Sequence, residues 1–161
     1  MKLYIKQKVF SWADKFSIFD ETGNAVFFAS GEVFSFGKKL HICDPSGTEF
    51  AFIHQKVFSF LPRYFIARGG SDIAEVVKKF TLFRSQYTVD AFGWFIQGNF
   101  TDHNYSITSG RGTVAVISRK WFTWGDTYEI DIVPGEDVIN VLSVVLIIDA
   151  VISAQRAAAS S

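Results

Sequence analysis

The chain has 161 residues, of which 48% are hydrophobic and 20% are charged, a balance typical of one globular domain and unlike that of a disordered or coiled-coil protein. Sixteen basic residues are balanced by sixteen acidic ones, so no overall electric field favours nucleic acid as a partner. The 18 Phe, 5 Tyr and 4 Trp residues indicate short β-strands rather than helices.

The first 43 residues predict four short strands separated by turns. Two of these turns, Asp20-Glu21-Thr22-Gly23 and Asp44-Pro45-Ser46-Gly47, have the Asp, Pro and Gly residues typical of chain reversals. The predicted strands are Leu3 to Lys8, Phe16 to Phe19, Ala25 to Ser30 and Lys39 to Cys43. The start MKLYIKQKV does not have the pattern of a secretory signal, and the single cysteine excludes an intramolecular disulfide, so we expect a cytoplasmic protein.

An internal repeat extends this unit along the chain. The segment IKQKVFS at residues 5–11 returns as IHQKVFS at residues 53–59, and EVFSFGKKLHI at 32–42 aligns with KWFTWGDTYEI at 120–130. The stretch KKFTLFRSQYTV at 78–89 is a weaker counterpart of the same half-unit. Three units of four strands predict about twelve strands. A β-sandwich enlarged by duplication is the alternative interpretation.

One convincing helix follows the last strand. Pro134-Gly135 ends the strand, Glu136-Asp137 favour a helix start, and the next 17 residues, VINVLSVVLIIDAVISA, contain no helix breaker. We predict a helix over about 136–155 and a disordered tail at 157–161, within a single domain spanning 1–156. The helix is apolar nearly all round, which is typical of a helix surrounded by protein or lipid. Asp149 argues against a membrane span, the alternative interpretation.

The strand count and the helix together predict the architecture. A barrel of twelve strands has a lumen wider than its own side chains fill, and a helix about 10 to 12 Å across suits that space. Closure also removes exposed sheet edges. The sequence therefore predicts a mainly β fold, a closed barrel around a central hydrophobic C-terminal helix.

Several sequence segments resemble those of a known family. The segments MKLYIKQKVFSW, FSFGKKLHI, HQKVFSFLPRY, KKFTLFRSQY and RKWFTWGDTYEIDI, followed by the apolar helix ending IIDAVISAQ, resemble the LURP-one-related family of the tubby C-terminal-like superfamily, in particular its bacterial members. The resemblance implies a twelve-stranded barrel around a central helix. The superfamily includes phosphoinositide-binding tubby domains and phospholipid scramblases, but no segment here matches the tubby phosphoinositide-binding residues.

No catalytic or metal-binding constellation is recognisable in the sequence. His41, His54 and His103 are far apart and form no ligand pair of the spacing that zinc sites use. Cys43 has no activating base nearby in sequence, and Gly110-Arg111-Gly112 is too short to cradle a phosphate. We therefore predict a protein that is not an enzyme and uses no metal or cofactor.

Basic pairs are the remaining candidates for a site. Lys78-Lys79 and Arg119-Lys120 occupy equivalent positions in the second and third units. We predict that Lys78, Lys79, Arg119 and Lys120 form one rim surface that binds anionic phospholipid. Lys2, Lys6, Lys38 and Lys39 are the second choice. Ordinary solvated lysines at strand ends are the simpler interpretation.

The leading functional hypothesis is a non-enzymatic cytoplasmic module, peripheral at the membrane, that binds phospholipid head groups or a membrane surface. It depends mainly on the resemblance and secondarily on the basic pairs. The alternatives are a scaffold that binds a protein partner without any ligand, and a carrier of a small lipophilic ligand.

Overall fold

The computed structural model describes residues 1–6, 15–122 and 125–161, which form twelve β-strands and one α-helix. The strands are β1 Lys2–Lys6, β2 Phe16–Phe19, β3 Ala25–Gly31, β4 Lys39–Cys43, β5 Glu49–Gln55, β6 Arg63–Arg68, β7 Ser71–Phe80, β8 Ser85–Val89, β9 Trp94–Asn99, β10 Asn104–Ser109, β11 Gly112–Phe122 and β12 Gly125–Ile132. A short 3-10 turn, Asp90–Phe92, joins β8 to β9, and the helix α1 spans Val138–Ala159.

All twelve strands form one closed antiparallel barrel. Each strand pairs with its neighbours in the chain, and β1 closes the sheet by pairing with β12, where Leu3 lies opposite Ile130. The predicted closed barrel is confirmed. Three of the four strands predicted in the first unit agree with β2, β3 and β4 within one residue, whereas the predicted end of the first strand, residues 7–8, lies outside the described residues.

Side chains alternate between the lumen and the outer wall, as the pattern of the sequence predicts. In β4, Leu40 and Ile42 are buried, while Lys39 and His41 lie half-buried on the outer wall. Glu129 departs from this pattern because it is buried on the outer wall. Its carboxylate accepts a hydrogen bond from Tyr4 Oη at 2.9 Å and lies 3.4 Å from Lys2 Nζ and 3.6 Å from Lys120 Nζ.

The helix begins at a defined cap and is longer than predicted. The Asp137 carboxylate accepts a hydrogen bond from the Asn140 backbone N–H at 2.9 Å, and Arg68 Nη1 donates to the same carboxylate at 2.7 Å. The prediction of disorder at 157–161 is wrong for residues 157–159, which continue α1 to Ala159. The reason is local, because alanine has the highest helix propensity of all residues.

The helix fills the lumen of the barrel. Every residue from Ile139 to Ile152 except Asn140 is buried, and these side chains form one core with the inward residues of the strands. By length and composition alone α1 could cross a membrane, but 72% of its most apolar stretch is buried inside the protein. Its predicted central position is confirmed.

The topology divides the turns between two ends of the barrel. Because consecutive strands are antiparallel, the turns that follow odd-numbered strands lie at one end, here called the odd end. The turns that follow even-numbered strands, together with the start of α1, lie at the other, the even end. The C-terminal half of α1 therefore points toward the odd end.

Candidate functional site

Large apolar side chains project into solvent from three hairpin turns at the odd end. The Phe34, Phe58 and Phe60 side chains are more than nine-tenths exposed. Such a concentration of exposed apolar side chains is unusual for a soluble monomer and makes this end a candidate contact surface. We call this set the aromatic crown: Val33, Phe34, Phe36, Phe58, Phe60, Phe80, Leu82 and Phe83.

The crown residues belong to a short motif that recurs along the sequence. The sequence Phe followed by Ser or Thr recurs once near the end of, or after, each odd-numbered strand, at residues 10–11, 34–35, 58–59, 80–81, 100–101 and 122–123, and in five copies the next residue is apolar. The first and last copies have side chains outside the described part of the structure. The first three copies are 24 residues apart, which is one hairpin. The repeat is therefore half as long as the four-strand unit that the longer alignment indicated.

The Ser or Thr hydroxyl of the motif forms a hydrogen bond within its own turn. Ser35 Oγ donates a hydrogen bond to the Gly37 carbonyl at 2.7 Å, and Thr81 Oγ1 donates to the Arg84 carbonyl at 3.0 Å. Gly37 has a φ of 80°, a left-handed conformation that glycine adopts without strain. The hydroxyl thus donates a hydrogen bond to a backbone carbonyl of the turn, while the neighbouring apolar side chains face outward.

Neighbouring crown turns also support each other. The rings of Phe36 and Phe58 lie 6.0 Å apart between centroids, and the Lys38 backbone N–H donates to Gln55 Oε1 at 3.1 Å. A Cβ atom at Gly37 would lie 2.9 Å from Val57 Cγ2, so the β3–β4 turn packs directly on the β5–β6 turn. The exposed rings are therefore held on an ordered base.

The β9–β10 turn interrupts the crown. Its Phe100 is buried, with its ring centroid 4.9 Å from that of Tyr87, and Asp102 replaces the third, apolar residue of the motif. Arg156 Nη2, near the end of α1, donates to the Thr101 carbonyl at 3.4 Å. Among the described turns the crown therefore does not extend to the β9–β10 turn, and the end of α1 emerges beside this turn.

The crown hairpins and the described even-end turns have opposite charge although the chain is neutral. The crown hairpins, residues 32–39, 56–63 and 78–84, contain one acidic residue, Glu32, and, besides the buried Lys78, six basic ones: Lys38, Lys39, Lys56, Arg63, Lys79 and Arg84. The described even-end turns are mainly acidic, with Asp20, Glu21, Asp44, Asp90, Glu136 and Asp137 against Arg111. The crown therefore has a basic surround.

The predicted pair Lys78-Lys79 is divided between the two faces of β7. Lys79 is exposed, whereas Lys78 follows the inward residues Ala74 and Val76 and is only 4% exposed. The prediction that Lys78 belongs to a solvent-facing rim surface is wrong, because consecutive residues of a strand point to opposite faces.

The pair Arg119-Lys120 is divided in the same way on β11. Arg119 lies opposite the inward residue Tyr128, and Lys120 reaches Glu129 on the outer wall. Both basic pairs do lie toward the odd end, but β8, β9 and β10 separate β7 from β11. At about 4.8 Å per strand, the separation along the sheet is roughly 19 Å. The two pairs therefore do not form one contiguous surface.

A buried polar cluster joins α1 to the barrel wall near the odd end. His103 Nε2 lies 3.1 Å from Asp149 Oδ1, the Tyr128 hydroxyl donates to Asp149 Oδ2, and the rings of His103 and Tyr128 stack with centroids 4.2 Å apart. Within the described residues, no three His, Cys, Asp or Glu side chains come together as a metal site. Nothing in this arrangement presents a nucleophile with an activating base.

The other two histidines lie on the outer wall beside carboxylates. His41 has Glu49 Oε2 2.6 Å from Nδ1 and Glu32 Oε1 2.8 Å from Nε2, and His54 Nε2 lies 2.7 Å from Asp72 Oδ1. Burial raises the pKa of the half-buried Cys43 thiol on the same strand as His41, which leaves it less reactive. These contacts link side chains across the outer wall, from the β3–β4 turn to β4 and β5 at His41 and from β5 to β7 at His54.

Comparison with known proteins identifies the family. The sequence profile of the LURP-one-related family matches residues 1–149. The chain belongs to the LURP-one-related family. It is 35% identical over 152 residues to the uncharacterised protein YxjI of Bacillus subtilis (strain 168), covering 94% of each chain. The crystal structure of an Arabidopsis thaliana protein has the same fold, with a TM-score of 0.68 and 21% identity over 93% of this chain and 90% of that one.

Proposed function

We propose that this LURP-one-related protein is a non-enzymatic cytoplasmic module that adsorbs to the surface of a membrane through the aromatic crown. The observation that carries this proposal is the coincidence, at one end of the barrel, of exposed Phe and Leu side chains with a basic surround. Aromatic side chains favour the interface between lipid and water, and basic residues favour anionic head groups. The resemblance to tubby-like proteins points in the same direction.

The energies are adequate for reversible adsorption. Transferring one exposed Phe or Leu side chain from water to an apolar environment contributes about 1.5 to 3 kcal/mol, and each basic residue near an anionic surface adds about 1 kcal/mol. Three or four inserted crown residues therefore suffice for measurable binding. With only the crown inserted into the bilayer surface, the barrel stays outside the bilayer and α1 stays inside the barrel.

A protein-binding scaffold is the second candidate, because an exposed apolar surface also suits a protein partner. The carrier of a lipophilic ligand has less support, since the helix occupies the lumen that such a ligand would need. Vesicle binding in the absence of other proteins separates the membrane proposal from the scaffold.

The test is sedimentation of the purified full chain with vesicles of phosphatidylcholine, with and without phosphatidylserine. The variant Phe34→Ser/Phe58→Ser/Phe60→Ser is expected to lose at least about tenfold in binding at both low and physiological salt. The matched control is Val116→Ser/Val133→Ser, which removes partly exposed apolar side chains away from the crown and is expected to bind normally.

Charge reversal tests the electrostatic contribution separately. Lys56→Glu/Lys79→Glu/Arg84→Glu is expected to bind anionic vesicles more weakly, and the difference from the wild type should shrink as salt screens the charges. Absence of wild-type binding to anionic vesicles at low salt would refute the membrane proposal and leave the scaffold.

A further inference from the structure

A pocket of about 340 Å³ opens on the outer wall of the barrel, between β5 and β7. Pockets of this volume hold small organic molecules. The pocket lies toward the even end, because the β6–β7 turn, Gly69-Gly70, forms part of its border. It is therefore separate from the crown and from the lumen that α1 fills.

A small side chain forms the floor of this pocket. Ala67 on β6 lies opposite Phe52 on β5 and opposite Asp72 on β7. Phe52 in turn lies opposite His41, which is on the outer wall, so Ala67 points to the outer wall as well. Because larger side chains stand on both sides of it, the alanine leaves a depression over β6.

A column of stacked rings forms one wall of the pocket. The ring centroid of Phe52 lies 4.8 Å from that of His41 and 5.5 Å from that of His54. His54 Nε2 reaches across β6 and lies 2.7 Å from Asp72 Oδ1. This contact borders the pocket on the side of the odd end, because β5 runs toward that end. Direct contacts between side chains therefore hold both the wall and the border.

Two carboxylates line the pocket on opposite sides of β6. Glu49 on β5 and Asp72 on β7 are two strand spacings apart across the sheet, roughly 10 Å. Glu49 Oε2 lies 2.6 Å from His41 Nδ1, and Asp72 Oδ1 contacts His54. The second oxygens, Glu49 Oε1 and Asp72 Oδ2, form no hydrogen bond or ion pair with any residue that the structure describes. Because a carboxylate only accepts hydrogen bonds, the pocket suits a ligand that donates them at both sides.

The charge of the pocket favours a cation. Within the described part of the chain it is lined by two carboxylates and two imidazoles, without Lys or Arg. When the imidazoles are uncharged the lining carries only negative charge, and a concave surface of one sign concentrates ions of the opposite sign. Between the two carboxylates lie Ala67 and Phe52, whose apolar atoms suit a hydrocarbon chain.

We propose that this pocket binds an aliphatic diamine, with one ammonium group at Glu49, the other at Asp72 and the hydrocarbon chain over Ala67. Two charges distinguish such a ligand from a monoamine. The absence of a carboxylate distinguishes it from an amino acid, which Glu49 and Asp72 would repel. The site is separate from the crown, so diamine binding goes beyond the proposed membrane function and does not depend on it.

The test is isothermal titration calorimetry of the purified full chain with cadaverine, at low salt and about pH 8, where imidazoles are uncharged and alkylamines are charged. Pentylamine has the same chain with a single ammonium group. It is expected to bind at least about tenfold more weakly, because one charge-assisted hydrogen bond is lost.

Removing either carboxylate should have a similar effect. Glu49→Gln and Asp72→Asn are each expected to weaken cadaverine binding about tenfold or more. The matched control is Glu75→Gln, which removes a carboxylate from the outer wall of β7 beyond the pocket, where Glu75 pairs with Arg63. Its affinity for cadaverine should change less than about twofold.

Filling the floor tests the pocket without changing its charge. Ala67→Leu places a larger side chain where the hydrocarbon chain would lie, and it should weaken cadaverine binding at least about tenfold. Ser106→Leu adds a leucine to the outer wall of β10, away from the pocket, and should bind as the wild type does. Thermal unfolding checks that each variant folds. If Glu49→Gln or Asp72→Asn does not fold, Ala67→Leu carries the test.

The proposal is overturned if the wild type does not bind cadaverine, if pentylamine binds equally well, or if Ala67→Leu binds as the wild type does. It is also overturned if Glu75→Gln weakens binding as much as Asp72→Asn, because the attraction would then be unspecific. The variant Phe34→Ser/Phe58→Ser/Phe60→Ser should keep its affinity for cadaverine. Failure of the membrane function and failure of the diamine site are therefore recognised separately.

Discussion

His103 Nε2 lies 3.1 Å from Asp149 Oδ1, and this contact joins the β9–β10 turn to the otherwise apolar middle of α1. The Tyr128 hydroxyl, on β12, binds the other oxygen of the same carboxylate. Close packing alone holds an apolar helix in an apolar lumen, whereas a polar contact adds a directional constraint. A buried polar contact of this kind fixes one position, as buried polar residues do in coiled coils.

Removing the Asp149 carboxylate should therefore destabilise the protein strongly. Asp149→Ala leaves His103 and Tyr128 buried without their shared acceptor, and we expect a loss of about 3 kcal/mol in the free energy of unfolding. Chemical denaturation measures this loss. The control is Asp102→Ala, an exposed carboxylate in the β9–β10 turn, which should cost less than about 1 kcal/mol. A denaturation midpoint of Asp149→Ala equal to that of the wild type would contradict the anchoring role.

A charge in the middle of α1 tests whether the helix occupies the lumen. Leu146 is fully buried, so Leu146→Asp should cost several kcal/mol, a large part of the stability of an ordinary domain. Ala158→Asp places the same carboxylate on the exposed last turn of α1 and should leave the melting temperature nearly unchanged. Differential scanning calorimetry distinguishes the two, and similar melting temperatures for both variants would refute the buried position.

A single methyl group at Gly98 should also be costly. Gly98 has a φ of 140°, and a Cβ there would lie 2.6 Å from both the Tyr105 Cα and the Asn104 carbonyl oxygen. Because both clashes involve backbone atoms, Gly98→Ala should lose about 2 kcal/mol or more in the free energy of unfolding. Gly110→Ala is the control, since a Cβ at Gly110 meets no atom within 4 Å. Equal urea midpoints for the two variants would count against this close approach of β9 and β10.

The His41 ion pairs predict a pH dependence of stability. Burial lowers the pKa of His41, but the hydrogen bonds to Glu32 and Glu49 outweigh that effect and raise its pKa above the ordinary 6.5. A raised pKa in the folded state stabilises the protein fully below the pKa of the unfolded chain, and this stabilisation is lost as the pH rises through the folded pKa. The half-buried site limits the effect to about 1 kcal/mol.

The measurement is the difference in unfolding free energy between the wild type and His41→Gln as a function of pH. We expect the largest difference at pH values below about 6 and a decline as the pH increases beyond about 7. In a Glu32→Gln/Glu49→Gln background only burial acts on the pKa of His41, so the decline should disappear and the sign of the pH dependence should reverse. A difference that grows toward alkaline pH with both glutamates present would contradict the assignment.

The barrel architecture can be predicted from the sequence because the patterns that indicate it occur several times along the chain. Turn residues, alternating strands and an uninterrupted apolar helix each agree with the same barrel, and such agreement between levels is what specifies a fold. α1 ends four residues beyond its predicted end, because the Ala157-Ala158-Ala159 run is helical rather than part of a disordered tail. Its helical form follows from propensity alone.

The candidate site is harder to predict from the sequence, since it depends on the direction in which each side chain points. Lys78 and Lys79 look equivalent in the sequence, and only the register of β7 shows that one faces the lumen and the other faces solvent. Aromatic residues are common in strands, so the high aromatic content alone does not single out Phe34 and Phe58 as exposed turn residues. Their 24-residue spacing, one hairpin long, was the signal that would have placed them in turns.

Closure of the barrel by β1 and β12 has a consequence for the order of folding. Leu3 and Ile130 are separated by most of the chain, and the helix that fills the lumen follows all twelve strands. During synthesis the early hairpins therefore emerge with apolar inner faces that have nothing to cover them. Such a chain folds slowly and depends on late, long-range contacts, so its hairpins are at risk of aggregation until α1 has left the ribosome.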